Sequence, residues 1–329
     1  MMEHPSTEDQ STSNVQLPFY NLFLNAGFVT GNNRLTRYLS TISITLFAYF
    51  AYQIFMGAVL LYFAQKNGLN IYDTQTLLEN LMNPDALGIS KNFVLALLLG
   101  MFVFTFLAFY ASIQKIHQKS LLSVITAYPY IRWNQVLFAF AVWSVIFLWM
   151  FFTDYLFISP ENYVLNFDAP KFFILLLISI ALLPVQATFE EIFFRGYLMQ
   201  GLALISRNGI FPLVLTSLLF GMAHMSNPEV EKFGAWIMLP YYSLFGLFLG
   251  LLALWNNGLE LSMGIHAANN ILSALLLTSE NTVLQTDALF RIQHENPVVD
   301  FILWLFGAVL ALALFQYKYK FKHPLQLLK

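Results

Sequence analysis

Apolar runs of about 20 residues recur along this chain, and that is the length a helix needs to cross the hydrocarbon of a bilayer. Eight can be read, at 39–63, 92–113, 136–157, 172–205, 209–225, 234–255, 259–277 and 301–317. Backbone inside lipid must satisfy its own N–H and C=O groups, so such runs fold as helices. The expected fold is all-α, a polytopic membrane protein with about eight transmembrane helices. Composition agrees: 58% of the 329 residues are hydrophobic, 10% are charged and the mean hydropathy is +0.63. Soluble domains carry roughly 25% charged residues. The 34 Phe, 16 Tyr and 6 Trp suit lipid-facing surfaces and interfacial belts. A net charge of -2 gives no reason to expect nucleic acid as a partner. With no cysteine, disulfides, thiolate metal ligands and a cysteine nucleophile are excluded.

Residues 1–38 are expected to form a cytoplasmic tail, polar and disordered as far as Gln16. The aromatic stretch 17–28 then lies along the membrane surface or forms an ordered linker. Residues 39–317 make the transmembrane domain, and 318–329 a basic cytoplasmic tail. The run 172–205 is too long for one perpendicular crossing, since at 1.5 Å per residue it reaches about 51 Å against roughly 30 Å of hydrocarbon. Pro184 is expected to bend or break it. Ten Lys and Arg, including Arg34, Arg37, Lys115, Lys119 and Arg132, fall on the side shared by both termini. Five, Lys66, Lys91, Lys171, Lys232 and Arg291, fall on the other. The positive-inside rule thus places both termini in the cytoplasm of a multi-pass protein of the cell membrane.

Within the apolar interiors of the runs, Asp, Glu, Lys, Arg and His are confined to three of them. The run 172–205 carries Glu190, Glu191 and Arg195 as EEIFFR, 209–225 carries Phe220 and His224 as FGMAH, and 259–277 carries His266, Asn269 and Asn270 as HAANN. Charged side chains within a membrane cost several kcal/mol unless partnered and usually mark a functional site. His4, His117, His294 and His323 fall in tails or loops, where solvated roles are expected.

Residues four apart share a helix face, so Glu191 is expected to pair with Arg195, and His266 to line up with Asn270. Glu190, about 100° from its neighbour, points elsewhere into a cavity. Without a cationic partner in a low-dielectric site it suits a general base, with His224 sharing or relaying the proton of a water. His266 and Asn270 each supply a donor that can stabilise an oxyanion. Each feature also has a plainer reading. Glu191–Arg195 serves as a structural ion pair, and His224 and Asn270 as interhelical hydrogen-bonding residues. Asn269 is structural, Phe220 a packing residue, and Glu260 an interfacial one. Gly246 and Gly250 mark a close helix contact.

EEIFFR, FGMAH and HAANN resemble the EExxxR, FxxxH and HxxxN motifs of the CAAX prenyl endopeptidase and bacteriocin-processing (CPBP, or Abi) intramembrane proteases, in order, across 172–277. The resemblance implies an endopeptidase in which Glu190 and His224 activate water and His266 and Asn270 form the oxyanion hole. Glu191, Arg195 and Phe220 support them. The implied partners are the lipid bilayer and a membrane-associated peptide or protein substrate. No cofactor is expected; the alternative is a divalent metal such as zinc on Glu190, His224 and His266, although no HExxH occurs. By counting, Glu190 falls in the inner half of the membrane and His224 in the outer, and a crossing that begins near Pro184 moves Glu190 outward. Two other functions fit the same residues: an ion-coupled secondary transporter using Glu190 and Glu191, and an inactive scaffold of the same fold. The first predicts broken helices in corresponding halves, and runs one to three hold no counterpart of EEIFFR.

Overall fold

The computed structural model describes residues 21–70, 72, 83–280 and 282–321. The tail to Gln16 with His4, the start of the 17–28 segment, and the basic stretch 322–329 with His323 lie outside the described residues. Helices occupy all eight apolar runs. In chain order they are α1 (Leu22–Val29), α2 (Leu35–Lys66), α3 (Lys91–Ser112), α4 (Trp133–Thr153), α5 (Ala169–Glu190), α6 (Met199–Ser206), α7 (Ile210–Ala223), α8 (Pro228–Phe233), α9 (Ala235–Asn256), α10 (Glu260–Leu276) and α11 (Pro297–Tyr319). Wide π-type turns extend α3 through Ile113–His117 and α4 through Asp154–Ile158, and join α5 to α6 through Glu191–Leu198.

The protein is an all-α, multi-pass integral membrane protein. Among the described residues six helices are long and apolar enough to cross a membrane. The other two runs form α7, of 14 residues, and α10, of 17, which reach about 21 and 26 Å at 1.5 Å per residue. Pro184 does not end its helix. Winding continues from Ala169 to Ser206, and the departure from α geometry falls at Glu191–Leu198 instead. Such wide turns are rare and concentrate at functional sites.

Helix α10 holds the centre. It packs on α4, α5 and α9, and every residue from Glu260 to Ala268 is buried. Outside it, α2 leans on α3, α3 on α5, α9 on α7, and α11 on α4 and α9. The largest core cluster joins Trp143 and Ile146 of α4, Phe248 and Leu252 of α9, Ile265 of α10 and Trp304 of α11. Close approach rests on glycine: a Cβ on Gly264 would lie 2.2 Å from the Val136 carbonyl oxygen, and one on Gly250 would lie 2.6 Å from Leu213 Cδ1. The Gly246 and Gly250 contact expected from sequence is thus the α9–α7 seam. A small sheet covers one end, with β1 (Tyr163–Leu165) antiparallel to β3 (Phe290–Ile292) and β2 (Leu277–Thr278) parallel to it.

Two polar residues assigned to water or to the interface prove to be internal. Glu260 is fully buried and takes Arg132 in a two-pronged pair, with Nη2 at 2.7 Å from Oε2 and Nε at 3.0 Å from Oε1. It thereby locks the start of α4 to the α9–α10 turn, where Arg132 Nη2 also donates to the Asn256 carbonyl. His117 is likewise buried, its Nε2 2.8 Å from the Tyr197 hydroxyl. Helix α1 buries Phe23, Leu24 and Ala26 against α6.

Candidate active site

Heights along the helices explain how the motifs meet. Glu190 lies 16 residues before Ser206 and His224 lies 14 beyond Ile210, which is about 24 and 21 Å of rise from the shared turn between α6 and α7. Gly196 is close to Leu259, 3.3 Å from the position of an added Cβ to Leu259 Cδ1. From that level, Glu190 is about 9 Å and His266 about 10.5 Å further on. Counted from the turn between α6 and α7, Glu190 and His224 stand at similar heights, which removes the apparent mismatch of depth.

Side-chain contacts follow from this alignment. Arg195 Nη1 donates to Glu191 Oε1 at 2.9 Å, with the two side chains 1% and 0% exposed. This pairing is the one expected from their spacing. His266 Nδ1 lies 2.7 Å from the same oxygen. A carboxylate only accepts, so this nitrogen carries the proton. The other ring nitrogen, Nε2, faces Glu190 Oε2 at 3.5 Å. Glu190 therefore does not point away from its neighbour's partners, because an imidazole placed between two carboxylates presents one nitrogen to each.

Phe220 joins the second motif to the others. The Arg195 guanidinium carbon is 4.0 Å from its ring centre, and His224 and His266 lie 4.5 and 6.1 Å away by ring centroid. His224 Nδ1 donates to the Phe220 carbonyl at 2.7 Å, which leaves Nε2 as the acceptor. Its ring stacks on Tyr242 at 4.6 Å. Asn270 Nδ2 donates to Gln186 Oε1 at 2.8 Å, and Gln186 Nε2 to Glu190 Oε1 at 2.7 Å.

All seven residues singled out by sequence thus belong to one connected cluster. Gln186, Tyr242 and Phe245, the last with its ring centroid 5.4 Å from that of His266, were missed. Gln186 carried a signal, since it is polar in an apolar run and four residues before Glu190, on the same face. Tyr242 and Phe245 carried none, being two aromatics among many. Four buried atoms here, Glu190 Oε2, Glu191 Oε2, and Arg195 Nε and Nη2, have no hydrogen-bond partner among the described residues. They give the cluster unused capacity for water or a polar substrate group.

Among the described residues no group of three or more His, Cys, Asp and Glu is placed to hold a metal ion.

Fold and site define an all-helical integral membrane protein with a carboxylate, imidazole and guanidinium centre buried among its helices. Residues 171–272, which hold all three motifs, match the family model described as type II CAAX prenyl endopeptidase Rce1-like. The chain is also similar to the uncharacterized protein YyaK of Bacillus subtilis (strain 168), with 28% identity over 199 residues. The alignment spans 60% of this chain and 66% of that relative. No solved structure matches the chain.

Proposed function

We propose that this protein is an intramembrane endopeptidase that hydrolyses a peptide bond in a membrane-associated peptide or protein. The observation that carries this reading is the meeting of Glu190, Glu191, His266 and Arg195 in one buried cluster. Glu190 Oε2 and His224 Nε2 are the free acceptors suited to take protons from a water, and charge separation in a low-dielectric site strengthens both. His266 and Asn270 supply donors for the tetrahedral oxyanion. Glu191 and Arg195 cancel one another's charge and hold the imidazole in place. The water needs no obligatory metal on this reading. Both termini face the cytoplasm and the protein resides in the plasma membrane, as the basic residues suggest.

The test is cleavage of a lipid-anchored, quenched-fluorescent peptide by the purified chain in detergent. Glu190→Gln and His224→Ala are expected to abolish turnover while gel filtration reports a folded protein. Unchanged turnover in either variant would reject the assigned roles, and ion flux in proteoliposomes without cleavage would favour a carrier. A strong chelator should leave the rate unaltered; loss restored by zinc overturns the metal-free mechanism.

A further inference from the structure

Polar residues that the proposed chemistry does not use fall in a line that ends on it. Trp143 Nε1 donates to Asn269 Oδ1 at 3.3 Å, and Asn269 Nδ2 to Asn270 Oδ1 at 3.3 Å. Asn270 Nδ2 donates to Gln186 Oε1 at 2.8 Å, and Gln186 Nε2 to Glu190 Oε1 at 2.7 Å. Five side chains from α4, α10 and α5 therefore form one directed path. Its two ends fix its sense. An indole N–H can only donate, and a carboxylate can only accept. Between them each carboxamide has one orientation that satisfies both neighbours, and turning any one over sets oxygen against oxygen or NH2 against NH2. The indole cannot adjust, because Trp143 is fully buried and packs on Phe248 with ring centroids 5.5 Å apart.

We infer that Trp143, Asn269 and Gln186 are positioning residues that set the sense of this amide relay for the reacting groups. The inference rests on the roles proposed for Glu190 and Asn270. With Asn270 Oδ1 held by Asn269, the NH2 group of Asn270 is the end turned toward Gln186 and Glu190, and its second N–H remains for a substrate oxygen. A reversed Asn270 would offer a lone pair there and repel a developing oxyanion. At the far end the Gln186 amide caps Glu190 Oε1, so that Oε2 is the oxygen left for water.

The existence of the relay is tested without turnover, by melting the full-length protein in detergent as wild type, Trp143→Phe, Gln186→Met and the double variant. Trp143 and Gln186 share no hydrogen bond, so independent sites would give additive losses in Tm. A relay makes the second cut fall on a path already broken, and the double variant should lose clearly less than the sum of the singles. Additive losses overturn the relay. Its catalytic consequence is read on the lipid-anchored peptide, where Trp143→Phe should lower kcat roughly tenfold with KM unchanged, the pattern of a lost transition-state contact. Asn269→Asp, which accepts from Trp143 but cannot donate to Asn270 when ionised, should fall as far. Wild-type kcat in both variants would reduce these residues to packing and overturn the positioning role. A wild-type chain that cleaves nothing would defeat the endopeptidase reading, while the melting cycle still decides the relay.

Discussion

Arg195 shows how much one buried side chain can be asked to hold. Its guanidinium pairs with Glu191 and lies over the Phe220 ring, so it neutralises one motif and packs on the next. Arg195→Ala strands a fully buried carboxylate, and breaking a buried pair from one side typically costs about 3–5 kcal/mol. A large drop in Tm is expected, measurable by thermal melting in detergent; wild-type melting with no turnover would instead put Arg195 in the chemistry. His266→Ala and Asn270→Ala should each raise the barrier by about 2.7–4 kcal/mol, the effect of losing one oxyanion donor, read as kcat on the reporter peptide. The Glu191–Arg195 pair was legible from spacing alone, because both residues sit on one helix. His266 bridging both carboxylates was not, since an interhelical contact depends on the relative height of two helices, and sequence periodicity carries no such information.

Among the elements, the winding between α5 and α6 and the seams of α10 determine where the chemistry falls. Pro184 was the visible irregularity in the sequence, yet the helix passes through it and widens at Glu191–Leu198. Composition gives no warning of such a turn. Tight seams are partly legible: Gly246 and Gly250 announce theirs by four-residue spacing, whereas Gly264, alone before His266, does not. A methyl on Gly264 would meet the Val136 carbonyl at 2.2 Å and Ala139 Cβ at 3.0 Å. Neither backbone nor a neighbouring Cβ can rotate away, so Gly264→Ala should cost about 1–3 kcal/mol, the usual penalty of overpacking. Because His266 follows two residues later, turnover should fall along with Tm. Undiminished activity at a lowered Tm would show that the site tolerates a shift of α10.

For the molecule as a whole, the apolar runs specified the class of fold, and the shortest helices built on them are α7 and α10, of 14 and 17 residues. Charge placement has a further effect on stability at the end of the bundle where Lys119 lies. This residue is 6% exposed, donates to Asn33 Oδ1 at 3.1 Å and lies over the Tyr38 ring. Burial lowers its pKa from 10.5 to about 8. Between those values the unfolded chain binds a proton that the folded chain has released, so this residue makes stability rise with pH across the window from 8 to 10.5 and contributes its full penalty below it. Lys119→Met should remove that rise, seen as a flatter plot of Tm against pH and a higher Tm near neutrality. An unchanged slope would mean that water reaches the ammonium in the folded state.

The central helix also has a history to account for. With Glu260, His266, Asn269 and Asn270 in 17 residues, α10 is a poor candidate for leaving the translocon alone, since ionisable and polar side chains inside a membrane are costly unless partnered. Its partners α4, α5 and α9 all precede it in the chain. They are thus already made when it emerges, and the last motif is expected to enter the bilayer by docking into a receptacle built by the earlier ones.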